Sequence, residues 1–346
     1  MKAVVLYDKV DQSVEMRDVP VPVIRPDECL VEVKFCGICG SEAHMYHGQL
    51  TMLARTPVVL GHEWSGQVVE VGADVKDFAV GDRVTCETAA EVCGVCALCR
   101  SGNYNVCPER LAYGFAVDGA FTKYIRAKGM RLHHIPEGVS YESAAMTEPT
   151  CVAYNAVVEK SRIRPGDTVV VQGPGPVGLL AMQMAKIQGA GVVVVSGTGR
   201  DASRLELAKK LGADMTVDVT QQNLLDVVRG LGDGLGAHLV IDAAGVPPAI
   251  QQSLQIVRQN GQVTKIGWAL QPINLTMDEI VAKMITYQGA FSHTWTNWEA
   301  SLELMRQGRI LTEPMISEVW PITRWKEAFE KLEALEADKI LLYPVD

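Results

Sequence analysis

Short runs in which apolar and polar positions alternate, broken by Pro and Gly, fill the first part of the chain, and apolar positions at helical spacing take over later. From Met1 to about Glu148 the runs AVVLY, CLVEVKF, SGQVVEV and DRVTC put successive side chains on opposite faces, which predicts strands of a small β-rich, barrel-like domain. Near Tyr141 the texture changes to ESAAMTEPTCVAYNAVVEK, with helical spacing. From Gly166 onward TVVVQ, VGLLAMQMAKIQG, GVVVVS, SRLELAKKLGA, HLVIDAAG, PPAIQQSLQIV and QVTKIG alternate strand with helix, and a helix-like stretch follows around Met277 to Met284. That rhythm predicts an α/β domain with a parallel, doubly wound sheet of roughly 130 to 140 residues. Ser203 and Glu206 form a capping-box pair at the start of one of its helices. After about Gly289 come two amphipathic helices, WEASLELMRQG and RWKEAFEKLEAL, and a strand, KILLYPV. The open sheet is complete without them, so they are expected to return to the first domain. The expected division is 1–152 with 290–346, and 153–289.

At 346 residues the chain exceeds what one core usually supports, in keeping with two domains. Thirty-two basic against 41 acidic residues give a net charge of −9, and no Lys/Arg run offers a stripe for phosphates, which argues against nucleic acid as a partner. MKAVVLYDKVDQ is not a secretory leader, and no apolar stretch is long enough to span a bilayer. Nine cysteines, an odd number, fit a reducing compartment better than a disulfide framework, and a cytoplasmic location is expected.

Three motifs carry chemistry. Cys93, Cys96, Cys99 and Cys107 stand in a C-x2-C-x2-C-x7-C quartet within a lobe of about residues 86–110. Four thiolates can close around one tetrahedral zinc with no position left for substrate, so the site is read as structural, with disulfides as the alternative. Cys39, in Cys36-Gly37-Ile38-Cys39-Gly40-Ser41-Glu42-Ala43-His44, precedes the Gly61-His62-Glu63 triplet. A thiolate, an imidazole and a carboxylate suit an open, catalytic zinc site; a redox pair of Cys36 with Cys39 would need a helical context that the β pattern does not supply. Finally, TVVVQ runs into Gly173-Pro174-Gly175-Pro176-Val177-Gly178 and then a helix, the context in which these glycines let a dinucleotide's pyrophosphate approach the helix start. The second strand ends in Ser196-Gly197-Thr198-Gly199-Arg200 with no acid before Asp201. Arg200 or Arg204 could therefore pair with a 2′-phosphate, which favours NADP(H) over NAD(H), with Asp201 folding back onto the ribose as the alternative. Ala243, Ile266 and Gly267 complete the candidate cofactor residues.

Together these motifs resemble the zinc-dependent medium-chain alcohol dehydrogenase family over essentially the whole chain. The resemblance implies a GroES-like catalytic domain, a Rossmann-type domain for NAD or NADP, and two zinc ions per chain. By the same resemblance Cys39 and His62 are catalytic zinc ligands and Glu63 is a carboxylate that can enter the coordination shell. Glu148, in Glu148-Pro149-Thr150, matches the third ligand of the polyol and threonine dehydrogenase branch. Ser41 and His44 correspond to the family's proton relay to solvent. Glu42 stands where the family usually has Asp and is given no role. Met45, Trp64, Phe115, Trp268, Phe291 and Trp295 are candidates for pocket lining by position, with ordinary packing the commoner role for any one of them. The implied activity is oxidation of a secondary alcohol, foremost a polyol or sugar alcohol, to a ketone. A threonine or sugar dehydrogenase is the nearest alternative, and a nucleotide-sensing zinc-ribbon interaction protein the non-enzyme one. A homotetramer is expected, a dimer being the alternative.

Overall fold

The computed structural model describes residues 1–345. The chain divides into two compact units: Met1–Glu148 with His293–Gly308 and the segment from Thr312 on, and Pro149–Ser292 with Arg309–Leu311. The boundaries fall at 148/149 and 292/293 instead of the expected 152/153 and 289/290. The helix Thr147–Tyr154 runs through the first boundary, so a change of periodicity cannot mark it.

In the first unit a seven-stranded sheet centres on the strand Glu28–Gly37, which pairs antiparallel with Glu63–Val71 on one side and Lys339–Tyr343 on the other. Two registers matter: Gly37 lies opposite Glu63, and Leu341 opposite Gly37. They bring the chain just after the first strand, where Cys39 stands, against the chain just before the second, where His62 stands. Lys339, Ile340, Leu341 and Leu342 are all buried, so the closing strand is covered on both faces. The helix Trp325–Glu333 buries Trp325, Ala328 and Phe329, the i, i+3, i+4 stripe of an amphipathic helix. Burial of side chains such as Trp325 and Phe329 contributes about 1.5–3 kcal/mol each.

The second unit is a six-stranded parallel sheet whose strands run Met215–Asp218, Val192–Gly197, Thr168–Gln172, Ala237–Asp242, Val257–Lys265, Thr286–Gly289 across it. Its valine-rich inner strands are buried on both faces, as parallel strands between helices must be. Sequence order reverses at Thr168–Gln172, the switch point where such sheets bind ligands. Gln172 is in register with Ser196 and with Asp242, so the loops that follow all three strands open at the same edge.

One local expectation is corrected. The capping box is Thr198 with Asp201, whose Oδ2 accepts from the Thr198 amide (2.9 Å) and hydroxyl (2.8 Å). Ser203 lies inside the helix Ala202–Lys210, and Glu206 pairs with Lys209 at 2.6 Å. A turn at Gly199–Asp201 is continuous with that helix, so the Thr-x-x-Asp pattern one turn upstream caps it first.

Candidate active site and zinc lobe

In the first unit Cys39, His62 and Glu63 bring a sulfur, a ring nitrogen and a carboxylate oxygen within 4.8 Å of one another. Cys39 caps the helix Gly40–Tyr46, and Glu42, in the first turn, accepts the Cys39 amide at Oε2 (2.7 Å). The other oxygen of Glu42, fully buried, lies 2.6 Å from His62 Nδ1. A carboxylate at that distance accepts, so Nδ1 carries the proton and Nε2 keeps its lone pair for a metal. Burial alone would depress the His62 pKa, but the negative charges of Glu42 and Cys39 outweigh it and raise the value well above an ordinary histidine's. Glu42 therefore orients the imidazole, a task the sequence reading did not assign. The only hint was the Cys39-x-x-Glu42 spacing of a capping box.

Lys339 was also missed. Its ammonium, 1% exposed, pairs with Glu63 Oε2 and donates to the Ile38 carbonyl (2.8 Å). Burial works against the ammonium, yet Glu63 and Cys39 raise its pKa and keep it charged. For Glu63, burial holds the pKa above the ordinary value although Lys339 and His62 pull it down. Space for this pair exists only because residue 37 is glycine: a Cβ there would stand 2.6 Å from Glu63 Oε2 and 2.8 Å from Lys339 Cε. Lys339→Met is expected to cost about 3–5 kcal/mol of stability, because it strands a buried carboxylate. Urea unfolding of the zinc-loaded protein checks this; a loss below 1 kcal/mol, by the same reasoning, would mean that the pair is not needed.

Glu148 is not within that three-donor set. Its Oε1 lies 3.2 Å from His293 Nε2, and its charge nonetheless acts on Glu63. Burial raises the Glu148 pKa, but the hydrogen bond from His293 and the charges of His62 and Lys339 bring it below the ordinary value. Glu42, Glu63 and Glu148 are thus three buried acids beside the Cys39 thiol, with Lys339 as a buried countercharge. The donor chemistry and the excess of negative charge both fit a divalent cation. The Ser41 hydroxyl is buried without a hydrogen-bond partner among the described residues. His44, three positions on, donates its Nδ1–H to Gln49 Oε1 (2.9 Å), because an amide oxygen only accepts, which leaves Nε2 as the ring's acceptor atom.

Of the expected pocket residues, Phe115 packs on His62 with ring centroids 5.0 Å apart. Met45 and Trp64 belong to the hydrophobic core instead, at 0% and 1% exposure. Trp295 is half exposed, and Trp268 and Phe291, in the second unit, meet edge to face at 6.0 Å. Cys36 is buried, and burial pushes its thiol pKa far up, which suits an inert core residue and not a redox partner of Cys39.

The quartet of Cys93, Cys96, Cys99 and Cys107 also gathers its sulfurs within 4.8 Å. None of the nine cysteines is in a disulfide. Four ligands at about 2.3 Å in a tetrahedron place sulfurs about 3.8 Å apart. Cys93 lies 3.9 Å from Cys99 and 3.6 Å from Cys107. The backbone amides of Cys96 and Val95 lower the Cys93 pKa to about 7, so the thiolate is accessible at neutral pH. The residues fit a closed zinc site.

In the second unit Gly173 has φ of +92°, and a Cβ on Gly178 would stand 1.9 Å from the Gly173 carbonyl, so the turn admits no other residue at either place. Nothing lies within 4 Å of where a Cβ on Gly175 would be. Gly175 is the cap and Pro176 the first residue of the helix Pro176–Ile187, followed by Val177 and Gly178. Ser196 and Gly197 end the neighbouring strand, and Thr198 follows it. Ala243 follows Ala237–Asp242, and the Ile266 and Gly267 amides both donate to the Asp242 carbonyl (2.9 and 3.0 Å). Arg200 is exposed, whereas Arg204 is buried, 4.0 Å from Asp201.

Residues 25–137 match the alcohol dehydrogenase GroES-like domain, and residues 176–307 match the zinc-binding dehydrogenase family. The chain is 39% identical to a sorbitol dehydrogenase of Halalkalibacterium halodurans over the full length of both. It is 41% identical to a D-arabitol-phosphate dehydrogenase of Enterococcus avium over 94% of this chain and 92% of that one. Among solved structures, an NADP-bound zinc-binding dehydrogenase of Sinorhizobium meliloti superposes with a TM-score of 0.91 at 31% identity, covering 99% of both chains. A galactitol-1-phosphate dehydrogenase of Escherichia coli superposes with 0.89 at 27%, covering 99% of this chain and 100% of that one.

Proposed function

The chain belongs to the zinc-dependent medium-chain alcohol dehydrogenase family, and from that membership we propose that it oxidises a secondary alcohol of a polyol or sugar-alcohol phosphate to a ketone, with NADP preferred over NAD. The observation that carries the reading is the open donor set of Cys39, His62 and Glu63 with the Glu148 carboxylate beside it. Zinc held there supplies Lewis-acid polarisation of a substrate oxygen, an effect of about 12 kcal/mol judged from the shift it produces in the pKa of water. A nicotinamide cofactor on the glycine turn supplies the hydride acceptor.

The chain's own residues do the rest. Cys39 and His62 would hold the metal, with Glu63 and Glu148 as the two carboxylates of the site. Glu42 keeps the His62 ring in one tautomer and orientation. The buried Ser41 hydroxyl, which has no hydrogen-bond partner among the described residues, would take up the proton of a bound hydroxyl, and His44, held at Nδ1 by Gln49, would hand it toward solvent. Gly173, Gly175 and Gly178 let the pyrophosphate approach the start of Pro176–Ile187.

The NADP preference rests on Asp201. Its carboxylate is turned inward onto Thr198, which takes it from the ribose and leaves the exposed Arg200 to meet a 2′-phosphate. Supporting a homo-oligomer, a tetramer before a dimer, the sheet of the second unit ends in the short strand Thr286–Gly289, with exposed Val281, Met284 and Tyr287 on and before it. No described helix is long and apolar enough to cross a membrane, and we place the enzyme in the cytoplasm.

The test is initial-rate cofactor reduction by the zinc-loaded protein with NAD and NADP against polyols, sugar-alcohol phosphates, simple secondary alcohols, threonine and glucose. Turnover is expected with a polyol or its phosphate, and Arg200→Ala should raise the KM for NADP about tenfold while leaving that for NAD within about twofold. Turnover confined to threonine or to simple alcohols would reject the substrate class, and equal effects on the two cofactors would reject the assignment of Arg200.

A further inference from the structure

Glu148 is held by a residue that no motif announced. Trp298 Nε1 donates to His293 Nδ1 at 2.7 Å, and the two rings meet edge to face with centroids 5.1 Å apart. An indole N–H only donates, so Nδ1 is the acceptor and Nε2 is the ring nitrogen that carries N–H. Both residues are 0% exposed, so the bond between them is made in a dry interior. His293 Nε2–H therefore donates, with Glu148 Oε1 at 3.2 Å and Thr88 Oγ1 at 3.3 Å as its acceptors. The Thr88 oxygen also accepts from Arg110 Nη2 at 2.7 Å, which anchors that end of the network.

We propose that His293, whose ring Trp298 fixes with its Nε2–H toward Glu148, is a positioning residue that holds Glu148 beside, and not within, the donor set of Cys39, His62 and Glu63. The inference rests on reading that set as the catalytic zinc site. Its physical content is a restraint. One carboxylate oxygen is spent on a buried hydrogen bond, and breaking it would leave the imidazole N–H with Thr88 alone. Without the restraint a buried carboxylate turns toward the nearest positive charge, and Glu148 becomes a metal ligand that competes with substrate. Both residues belong to the segment His293–Gly308, which joins the first unit.

The experiment uses the holoenzyme with cobalt(II) exchanged for zinc and compares visible difference spectra of wild type, His293→Leu, Trp298→Phe, His293→Gln, and His293→Leu with Glu148→Gln. His293→Leu should shift the cobalt bands, and adding Glu148→Gln should abolish that shift, because the incoming ligand is then gone. Trp298→Phe keeps a ring in place and removes only the locking donor, so it should shift the bands in the same direction and by less. His293→Gln retains an N–H near the original position and should restore the wild-type spectrum. On an oxidisable alcohol, kcat should fall about 10–100-fold in His293→Leu while the cofactor KM stays put. Unchanged bands in both His293→Leu and Trp298→Phe would overturn the proposal, as would a shift that survives Glu148→Gln. The spectra need no substrate, so silence of every alcohol tested would count against the proposed substrate and not against His293.

Discussion

His62→Ala is expected to cut turnover by at least about four orders of magnitude while the affinity for the nicotinamide cofactor stays within about twofold. His62 supplies the nitrogen of the donor set, and what remains is Cys39 with Glu63, whose Oε2 is already engaged by Lys339. Two donors, one of them tied to an ammonium, are too few for a catalytic zinc that needs three protein ligands. Losing even half of the roughly 12 kcal/mol of oxygen polarisation is worth more than a factor of about ten thousand in rate. Cofactor binding should be spared, because every residue assigned to it lies in the second unit and His62 in the first. Steady-state rates, cofactor titration by fluorescence quenching and zinc content measure the three quantities separately. Zinc should fall from two ions per chain to one, the quartet retaining its own. Full activity with one zinc lost would sink the mechanism.

How much of this was legible in the sequence depends on where the partners of each residue lie in the chain. Cys39, His62, the quartet and the glycine turn declare themselves by local spacing, because backbone geometry over a few residues dictates them. The strand and helix rhythm of the second unit was equally readable, since period two and period 3.6 are local properties. Lys339 was not, because its partner Glu63 is 276 positions away and only the pairing of Glu28–Gly37 with both neighbours brings them together. His293 faces Glu148 across 145 positions for the same reason. Glu42 is a different failure: its contact with Cys39 is local, but its bond to His62 crosses the register of two strands. Met45 and Trp64 could not be assigned to core or pocket from sequence, because nearness to a ligand says nothing about which way a side chain points. Trp64 sits opposite Cys36 in the sheet and faces the core.

Cys96→Ala should have the opposite phenotype to His62→Ala, and the reason is that the lobe has no core of its own. From Glu91 to Tyr104 not one residue is buried, and its helix, Ala97–Arg100, is four residues long. So short a helix does not form unaided in water. Its local bonds are made to sulfur: the Cys96 amide to Cys93 Sγ at 3.3 Å and the Cys99 amide to Cys96 Sγ at 3.4 Å. These favour thiolates, and four thiolates without a cation repel one another, so metal and fold of the lobe are linked. Structural zinc in small sites is worth about 10–16 kcal/mol of apparent binding energy at neutral pH, and removing one of four ligands forfeits much of it. The loss does not stay local, because the Tyr104 hydroxyl donates to buried Glu87 (2.6 Å) and accepts from the Trp295 amide, next to the His293–Trp298 pair. The midpoint of thermal unfolding should drop by at least about 10 °C, since each kcal/mol moves a domain of this size by about 2–4 °C. Zinc should again fall to one ion per chain, yet this variant should keep its cofactor affinity and, at temperatures where it is folded, most of its turnover. Two variants that each lose one zinc, one folded but inactive and the other active but labile, separate the chemistry of the open donor set from the architecture of the closed one. An unchanged unfolding midpoint in Cys96→Ala would mean that something other than metal holds residues 86–110, and the quartet would lose its structural role.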